Sequence, residues 1–132
     1  MKQYLDIKVS TFKDVRAMAD KEPQPLRSIL TSGEYQDQVE AVRSVEYHSE
    51  EQKELKKKLP LFTMGVFPKE RQAKKIREAI PLIALDFDGN DNDPSTEKAN
   101  LAFRAFKHVV EGDPFVLYRG LSCSGKGWRV IL

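Results

Sequence analysis

Two carboxylates stand two residues apart in the segment LIALDFDGN, where Asp86 and Asp88 follow a run of apolar residues. Residues i and i+2 of a β-strand point to the same face, so we expect both carboxylates to project together, with Phe87 on the opposite, buried side. Two like charges this close repel each other unless a cation lies between them. Oxygen ligands suit Mg²⁺ and Mn²⁺, so the pair predicts a divalent metal site. The alternative is a strand that simply ends at the surface, where two acidic residues meet water.

A second candidate is the glycine-rich stretch SCSGKGWR, residues 122–129. Its glycines allow the backbone to approach a ligand closely, and successive N–H groups can bind an anion. Lys126 and Arg129 add positive charge, and a guanidinium can bind two phosphate oxygens at once. The alternative is a hairpin loop whose glycines serve only the turn.

The spacing of Gly120, Gly125 and Lys126 is that of a phosphate-binding P-loop, but the rest of the pattern differs. Gly127 stands where a P-loop has Ser or Thr to bind Mg²⁺. The segment WRVIL that follows is rich in β-branched and aromatic residues, so it predicts a strand where a P-loop requires a helix. We therefore interpret the stretch as a loop that leads into a strand.

The acidic strand and the basic loop together predict a single site. One helix and one hairpin separate them along the chain. If the two strands are neighbours in a sheet, the carboxylates would hold a divalent metal beside the triphosphate of a nucleotide. Phosphoryl and nucleotidyl transfer require that arrangement.

These ordered motifs resemble those of the archaeo-eukaryotic primase and primase-polymerase superfamily. More closely, the chain is similar to the VirE-type N-terminal domain of mobile-element proteins. The stretches LPLFTMGVF, LIALDFDGND and SCSGKGWRV fit the motifs of that family in order, and the resemblance covers about residues 55 to 132. It departs from the superfamily in two respects: Arg129 replaces a His, and the third acidic motif would lie beyond residue 132.

The resemblance implies that Asp86 and Asp88 bind catalytic Mg²⁺ or Mn²⁺. It implies a function in mobile-element or phage replication, by metal-assisted nucleotidyl transfer with a nucleoside triphosphate and a DNA or RNA template. Further domains of a longer chain, such as a helicase or another replication module, are implied partners. The residues that it assigns to binding the nucleotide phosphates are Ser122, Ser124, Gly125, Lys126 and Arg129.

Two other functions stay open. The replaced His and the absent third acidic motif favour a catalytically inactive binding or interaction domain that keeps the fold. The segment LDFDGN also approaches the D-x-D-G-T motif of haloacid-dehalogenase-type phosphatases. In that motif Asn90 stands in place of Thr, and only 44 residues follow Asp88.

The elements predicted around the site indicate an α+β fold with a mainly antiparallel sheet, packed helices and a primase-polymerase-like (RRM-like) core. The alternating segment YLDIKV predicts a half-buried strand, and residues 82–85 predict a buried one. PFVLYR and WRVIL predict the two strands of a hairpin. LFTMGVF is a further strand candidate.

Helices are predicted in five regions between these strands. LRSILTSG is expected to end at Gly33, and EYQDQVEAVRSVEY has a weak helical stripe of valines. Ser49 and Gln52 form a capping-box pair before EEQKELKKKL. KERQAKKIREAI has helical propensity, and a last helix is expected from Ser95 or Thr96 to about Glu111.

The composition limits the class of protein. The 132 residues, with 40% hydrophobic and 32% charged residues, predict one globular domain over residues 1–132. A net charge of +2 does not by itself indicate nucleic acid. The single Cys123, and the lack of a signal peptide or an apolar run of ~18 residues, predict a cytoplasmic protein without a membrane partner. The terminal run WRVIL suggests either a fragment of a longer protein or a short domain that ends in a strand.

Overall fold

The computed structural model describes residues 2–18, 22–87, 104 and 107–132. The chain divides into two compact units, Met1–Pro81 and Leu82–Leu132. Helices and strands are both present, and every strand pair in the described residues is antiparallel. The predicted α+β class is therefore confirmed, while the primase-polymerase-like core and the single domain over 1–132 stay predictions. Within the described ranges, no helix is both long and apolar enough to cross a bilayer.

The first unit combines three short α-helices with three two-stranded sheets in its described residues. The sheets pair β1 with β3, β2 with β4, and β5 with β6. In chain order the elements are a 3-10 helix (Lys2–Asp6), β1 (Lys8–Val9), β2 (Thr11–Phe12), β3 (Gln24–Pro25), α1 (Leu26–Thr31), α2 (Gln36–Ser44), α3 (Glu50–Lys57), β4 (Leu61–Phe62), β5 (Gly65–Val66), a second 3-10 helix (Ala73–Lys75) and β6 (Glu78–Ala79).

Two local predictions for this unit are wrong. The first half of the segment YLDIKV belongs to the 3-10 helix Lys2–Asp6, and only Lys8–Val9 is strand. KERQAKKIREAI forms one 3-10 turn and β6 instead of a helix. Its second half pairs with β5, and the Arg77 N–H donates to the Val66 carbonyl at 2.8 Å. Pairing with a distant strand thus overrides the local helical propensity.

The core of the first unit lies between the N-terminal strands and the segment after β5. Val9 and Phe12 are fully buried, and the Phe12 ring meets the Phe67 ring edge-on with 6.4 Å between centroids. Ser10 is also fully buried, and its Oγ accepts a hydrogen bond from the Phe67 N–H at 2.9 Å. A buried hydroxyl costs little free energy when it is hydrogen-bonded in this way.

A buried glutamine joins α2 to α3. As the capping box predicts, Ser49 Oγ accepts the Gln52 N–H at the start of α3, at 3.1 Å. The Gln52 side chain does not complete the capping box, because it does not bond the Ser49 N–H. Its Oε1 accepts the N–H of His48, whose φ is 66°, and its Nε2 donates to the Val42 carbonyl of α2. Gln52 is only 2% exposed, so its bond to the Val42 carbonyl is buried, while the bond from His48 is partly buried.

We expect Gln52→Ala to lower the free energy of unfolding by at least about 2 kcal/mol, because it leaves a buried carbonyl and a part-buried N–H without partners. Urea titration followed by circular dichroism measures this loss. Gln38→Ala is the matched control, since Gln38 is an exposed glutamine of α2. Equal stability of the two variants would show that the Gln52 hydrogen bonds contribute nothing to the helix pair.

The second unit contains a three-stranded antiparallel sheet in the order β7–β9–β8. Its strands are β7 (Ala84–Phe87), β8 (Tyr118–Leu121) and β9 (Trp128–Ile131). The predicted hairpin is confirmed, although Asp113 starts a turn, so that β8 begins only at Tyr118. β9 is central and carries the buried Val130 and Ile131.

The prediction of a buried strand over residues 82–85 is wrong for most of the segment. Leu82 is buried, but Ile83 is 60% exposed and Leu85 is 37% exposed. The reason is topological: within the described sheet β7 is an edge strand, paired only with β9. An apolar run alone does not distinguish a central strand from an edge strand.

The helix before β8 is described at residues 104 and 107–112, and its predicted start lies outside the described residues. Val110 is buried, whereas Val109 is 65% exposed. Glu111 binds the Arg119 guanidinium of β8 at 2.6 Å. The hydrogen bond from Arg119 is the main reason that the pKa of the Glu111 carboxyl lies below its ordinary value. This contact ties the helix to the sheet.

Candidate functional site

The sheet of the second unit brings together two of the predicted site residues. Asp86 of β7 lies directly opposite Arg129 of β9, and Arg129 Nη2 donates to Asp86 Oδ2 at 3.0 Å. The two side chains are 64% and 43% exposed, respectively. An ion pair this exposed adds about 0–1 kcal/mol to stability. The pair matters for function more than for stability, because a residue predicted to bind metal contacts a residue predicted to bind phosphate.

The predicted metal site is only partly within the described residues, because Asp88 lies outside them. Among the described residues, no group of three or more His, Cys, Asp or Glu side chains is placed to hold a metal ion. The donor that is described, Asp86, already has a guanidinium as its counter-charge. This donor set does not by itself fit a divalent cation, which would have to share the carboxylate with Arg129 or displace it. The assignment of Asp86 and Asp88 as metal ligands stays a prediction.

The loop at residues 122–127 closes on itself. The Ser122 N–H donates to the Gly127 carbonyl at 2.9 Å, and the Gly127 N–H donates to Ser122 Oγ at 3.1 Å. Ser124 Oγ lies 3.1 Å from Ser122 Oγ and accepts a hydrogen bond from the backbone N–H of Lys126 at 3.5 Å. Gly125 takes a positive φ of 73°, which the turn requires and which glycine adopts without strain. Four of the five predicted phosphate-binding residues therefore lie in one compact loop, and both serine hydroxyls take part in its internal hydrogen bonds. The fifth, Arg129, lies on β9 just after the loop.

Sequence reasoning missed the contribution of Tyr118 to this face of the sheet. Tyr118 and Gly120 are two residues apart on β8, and Gly120 lies opposite Arg129. A Cβ atom added at Gly120 would lie 2.1 Å from Tyr118 Oη, so the tyrosine ring lies over the glycine. The signal in the sequence is the Y-x-G spacing in a strand, since alternate residues share a face.

A separate cleft of about 660 Å³ lies in the first unit. Its walls include Phe12, Ile29, Tyr35 and Phe62, together with polar groups such as Glu34. None of the predicted site residues lines it. The cleft is large enough for a small ligand, but its mixed lining indicates no particular ligand chemistry.

A scan against protein-family models found no match to this chain, and neither did searches of curated proteins and solved structures. The resemblance to VirE-type and primase-polymerase domains therefore depends on the three ordered motifs alone and stays a hypothesis. What stands independently is the geometry of the Asp86–Arg129 pair and of the loop that precedes Arg129.

We expect Gly120→Ala to destabilise the second unit by about 1–3 kcal/mol, because the new methyl group forces the Tyr118 ring off the sheet. Chemical denaturation followed by the fluorescence of Trp128, the single tryptophan, measures this loss. Gly112→Ala is the control, since a Cβ there meets no atom within 4 Å.

Adding Tyr118→Ala to Gly120→Ala removes the clash. In a double-mutant cycle the two substitutions should therefore cost less together than the sum of their separate costs. Additive costs would contradict the packing of Tyr118 on Gly120.

Proposed function

We propose that this chain is a nucleotide- and nucleic-acid-binding module of the primase-polymerase type, related to VirE-type N-terminal domains. The observation that carries the proposal is the antiparallel register of β7 and β9, which sets Asp86 opposite Arg129. The loop at residues 122–127 leads directly into Arg129 along β9. A group that attracts cations and a group that binds phosphate thus lie side by side, as the binding of a nucleoside triphosphate requires.

Arg129 is suited to bind phosphate because its contact with Asp86 uses only part of its guanidinium. A guanidinium has five N–H donors, and in the described residues the hydrogen bond of Arg129 to Asp86 uses a single terminal nitrogen. The carboxylate also limits the rotation of a long side chain, so less conformational entropy is lost when a phosphate binds. In this proposal Lys126 adds charge, while Ser122, Ser124 and Gly125 shape the loop.

Two versions of the proposed function differ in their chemistry. In the first, Asp86 and Asp88 hold Mg²⁺ or Mn²⁺, which when bound would stabilise the charge that develops on the transferred phosphoryl group. In the second, the domain binds nucleotide and nucleic acid without transfer. The ion pair favours the second version, because Arg129 already supplies Asp86 with the positive charge that a metal would provide. No observation favours a haloacid-dehalogenase-type phosphatase.

The partners and location belong to the same proposal. A nucleoside triphosphate would bind at Arg129, a DNA or RNA template would be the second ligand, and replication domains of a longer chain would be further partners. We infer a cytoplasmic location, where the free thiol of Cys123 suits a reducing environment.

We expect Arg129→Gln to weaken ATP binding by about 10- to 100-fold, because it removes a charge-assisted contact worth about 1.5–3 kcal/mol. Isothermal titration calorimetry without divalent metal measures the affinity. Arg119→Gln is the matched control: Arg119 lies on the neighbouring strand, opposite Val130, and hence on the other face of the sheet. Equal losses in the two variants would mean that only net charge matters, and the proposed phosphate contact would be wrong.

A second experiment separates transfer from binding alone. If the second version holds, Mn²⁺ leaves ATP affinity unchanged, and Asp86→Asn keeps or raises affinity because it removes a negative charge near the phosphates. If the first version holds, Mn²⁺ raises the affinity and Asp86→Asn abolishes that increase. Asp113→Asn is the control, an exposed aspartate of the same unit. Primer synthesis by the full-length protein on a DNA or RNA template would rule out binding alone.

A further inference from the structure

Hydrogen bonds bring together three segments of the first unit that carry exposed cations. We define the basic surface as Lys13 and Arg16, Lys57 and Lys58 at the end of α3, and Lys69. All five residues are exposed. In the sequence these residues are separated by up to 56 positions, and the composition alone, with a net charge of +2, gives no sign of such a cluster.

The backbone around Val15 brings these segments together. The Val15 N–H donates to the Lys57 carbonyl at 3.4 Å, which places residues 13–18 against the end of α3. Arg71 Nη2 donates to the Val15 carbonyl at 2.6 Å, and the Arg71 N–H donates to the Met18 carbonyl at 2.9 Å. The Arg71 guanidinium also lies 5.1 Å from the ring centroid of the buried Phe12. Arg71 thus anchors the third segment, and with it Lys69, to the other two.

The acidic residues among these segments are already engaged. Asp14 accepts the backbone N–H groups of Arg16 and Ala17, and Glu70 forms an ion pair with Lys75. Glu54 forms an ion pair with Lys57.

Three cations lie within electrostatic reach of that Glu54 carboxylate. Lys57 is the main cause of the lowered pKa of Glu54, and Arg16 and Lys58 lower it further.

Four cations of the basic surface form no ion pair among the described residues, although two of them lie within electrostatic reach of Glu54. The ion pairs in that part of the chain involve none of them. They are Lys13, Arg16, Lys58 and Lys69. A surface with this excess of unpaired positive charge attracts a polyanion.

We propose that the basic surface binds the phosphodiester backbone of nucleic acid. The inference deepens the proposed function, on which it rests for the class of ligand, and assigns the polymer contact to the first unit. Lysine predominates in the surface, and a flexible ammonium contacts phosphate oxygens without reading the bases, so binding is independent of sequence. An anionic membrane fits less well, because α3 carries Glu50, Glu51 and Glu54 and has no apolar face to insert.

Fluorescence anisotropy of the full 132-residue chain with a labelled single-stranded 20-mer, across a salt series, tests the proposal. The test variant is Arg16→Gln/Lys58→Gln/Lys69→Gln, whose substitutions leave the Arg71 anchor intact. The control variant is Lys8→Gln/Arg27→Gln/Arg43→Gln. It also removes three positive charges from the first unit, but from outside the basic surface. Circular dichroism confirms that both variants fold.

We expect the test variant to bind at least tenfold more weakly than the control at low salt. Its log–log salt slope should be shallower by about 2, because each phosphate contact on a single strand contributes about 0.7. Equal losses in both variants, or no oligonucleotide binding by the unmodified chain, would overturn the proposal. Binding to anionic vesicles or to an acidic polypeptide with no binding to the oligonucleotide would also overturn it.

Calorimetry with ATP keeps this proposal distinct from the one for Arg129. The test variant should bind ATP as the unmodified chain does, and Arg129→Gln should retain the salt slope for the oligonucleotide. Loss of ATP binding with intact oligonucleotide binding would sink the triphosphate site and leave the basic surface standing. Intact ATP binding with no effect of the test variant on oligonucleotide binding would contradict the basic surface alone.

Discussion

The pairing of β7 with β9 is the constraint on which the proposed site depends. β9 is the central strand and buries Val130 and Ile131, whose exposed fractions are 1% and 0%. Adjacent residues of a strand point to opposite faces, so β9 is buried on both faces here, and it pairs with β7 in the observed register. That register sets Asp86 beside Arg129. The ion pair is thus a consequence of the sheet, since an exposed pair contributes too little free energy to impose it.

The same pairing changes how the two charged groups can act. A lone carboxylate at the edge of a sheet attracts a cation, and a lone guanidinium attracts an anion. Held 3.0 Å apart, they neutralise each other in part, and a ligand can use only the donors of Arg129 that Asp86 does not occupy. Phosphate can bind while the ion pair is intact. A metal ion at Asp86 would have to displace Arg129 or share the carboxylate with it. The chemistry of the site therefore depends on whether Asp86 binds Arg129 or a metal ion more favourably when nucleotide is present.

The two units differ in where their charge lies. In the first unit, backbone contacts of Val15 gather cations from three segments, while the nearby acids pair locally. In the second unit, the described charges on the sheet form pairs, Glu111 with Arg119 and Asp86 with Arg129. A long anionic polymer suits the first pattern, and a small ligand with a few well-placed groups suits the second.

Local signals in the sequence were sufficient for several elements. Ser49 and Gln52 predicted the start of α3, since a hydroxyl that caps a helix acts within three residues. WRVIL and the glycine-rich loop before it predicted the hairpin, because β-branched residues and turn glycines act on their immediate neighbours. The helix predicted for KERQAKKIREAI is wrong because part of the segment pairs with β5. The residue pattern of the segment gives no indication of that partner.

The sequence by itself determined the α+β class, the capped helix α3, the hairpin and the residue types able to bind phosphate. These depend on backbone preferences and on groups a few residues apart, which a linear pattern records. Only the tertiary structure decided that β7 is an edge strand, that Arg129 meets Asp86, and that Gln52 reaches back to Val42. It also decided that the segments carrying Lys13 and Lys69, which are distant in the sequence, are joined by the hydrogen bonds of Arg71. Those features depend on which segments lie side by side, and burial of the whole chain selects that arrangement.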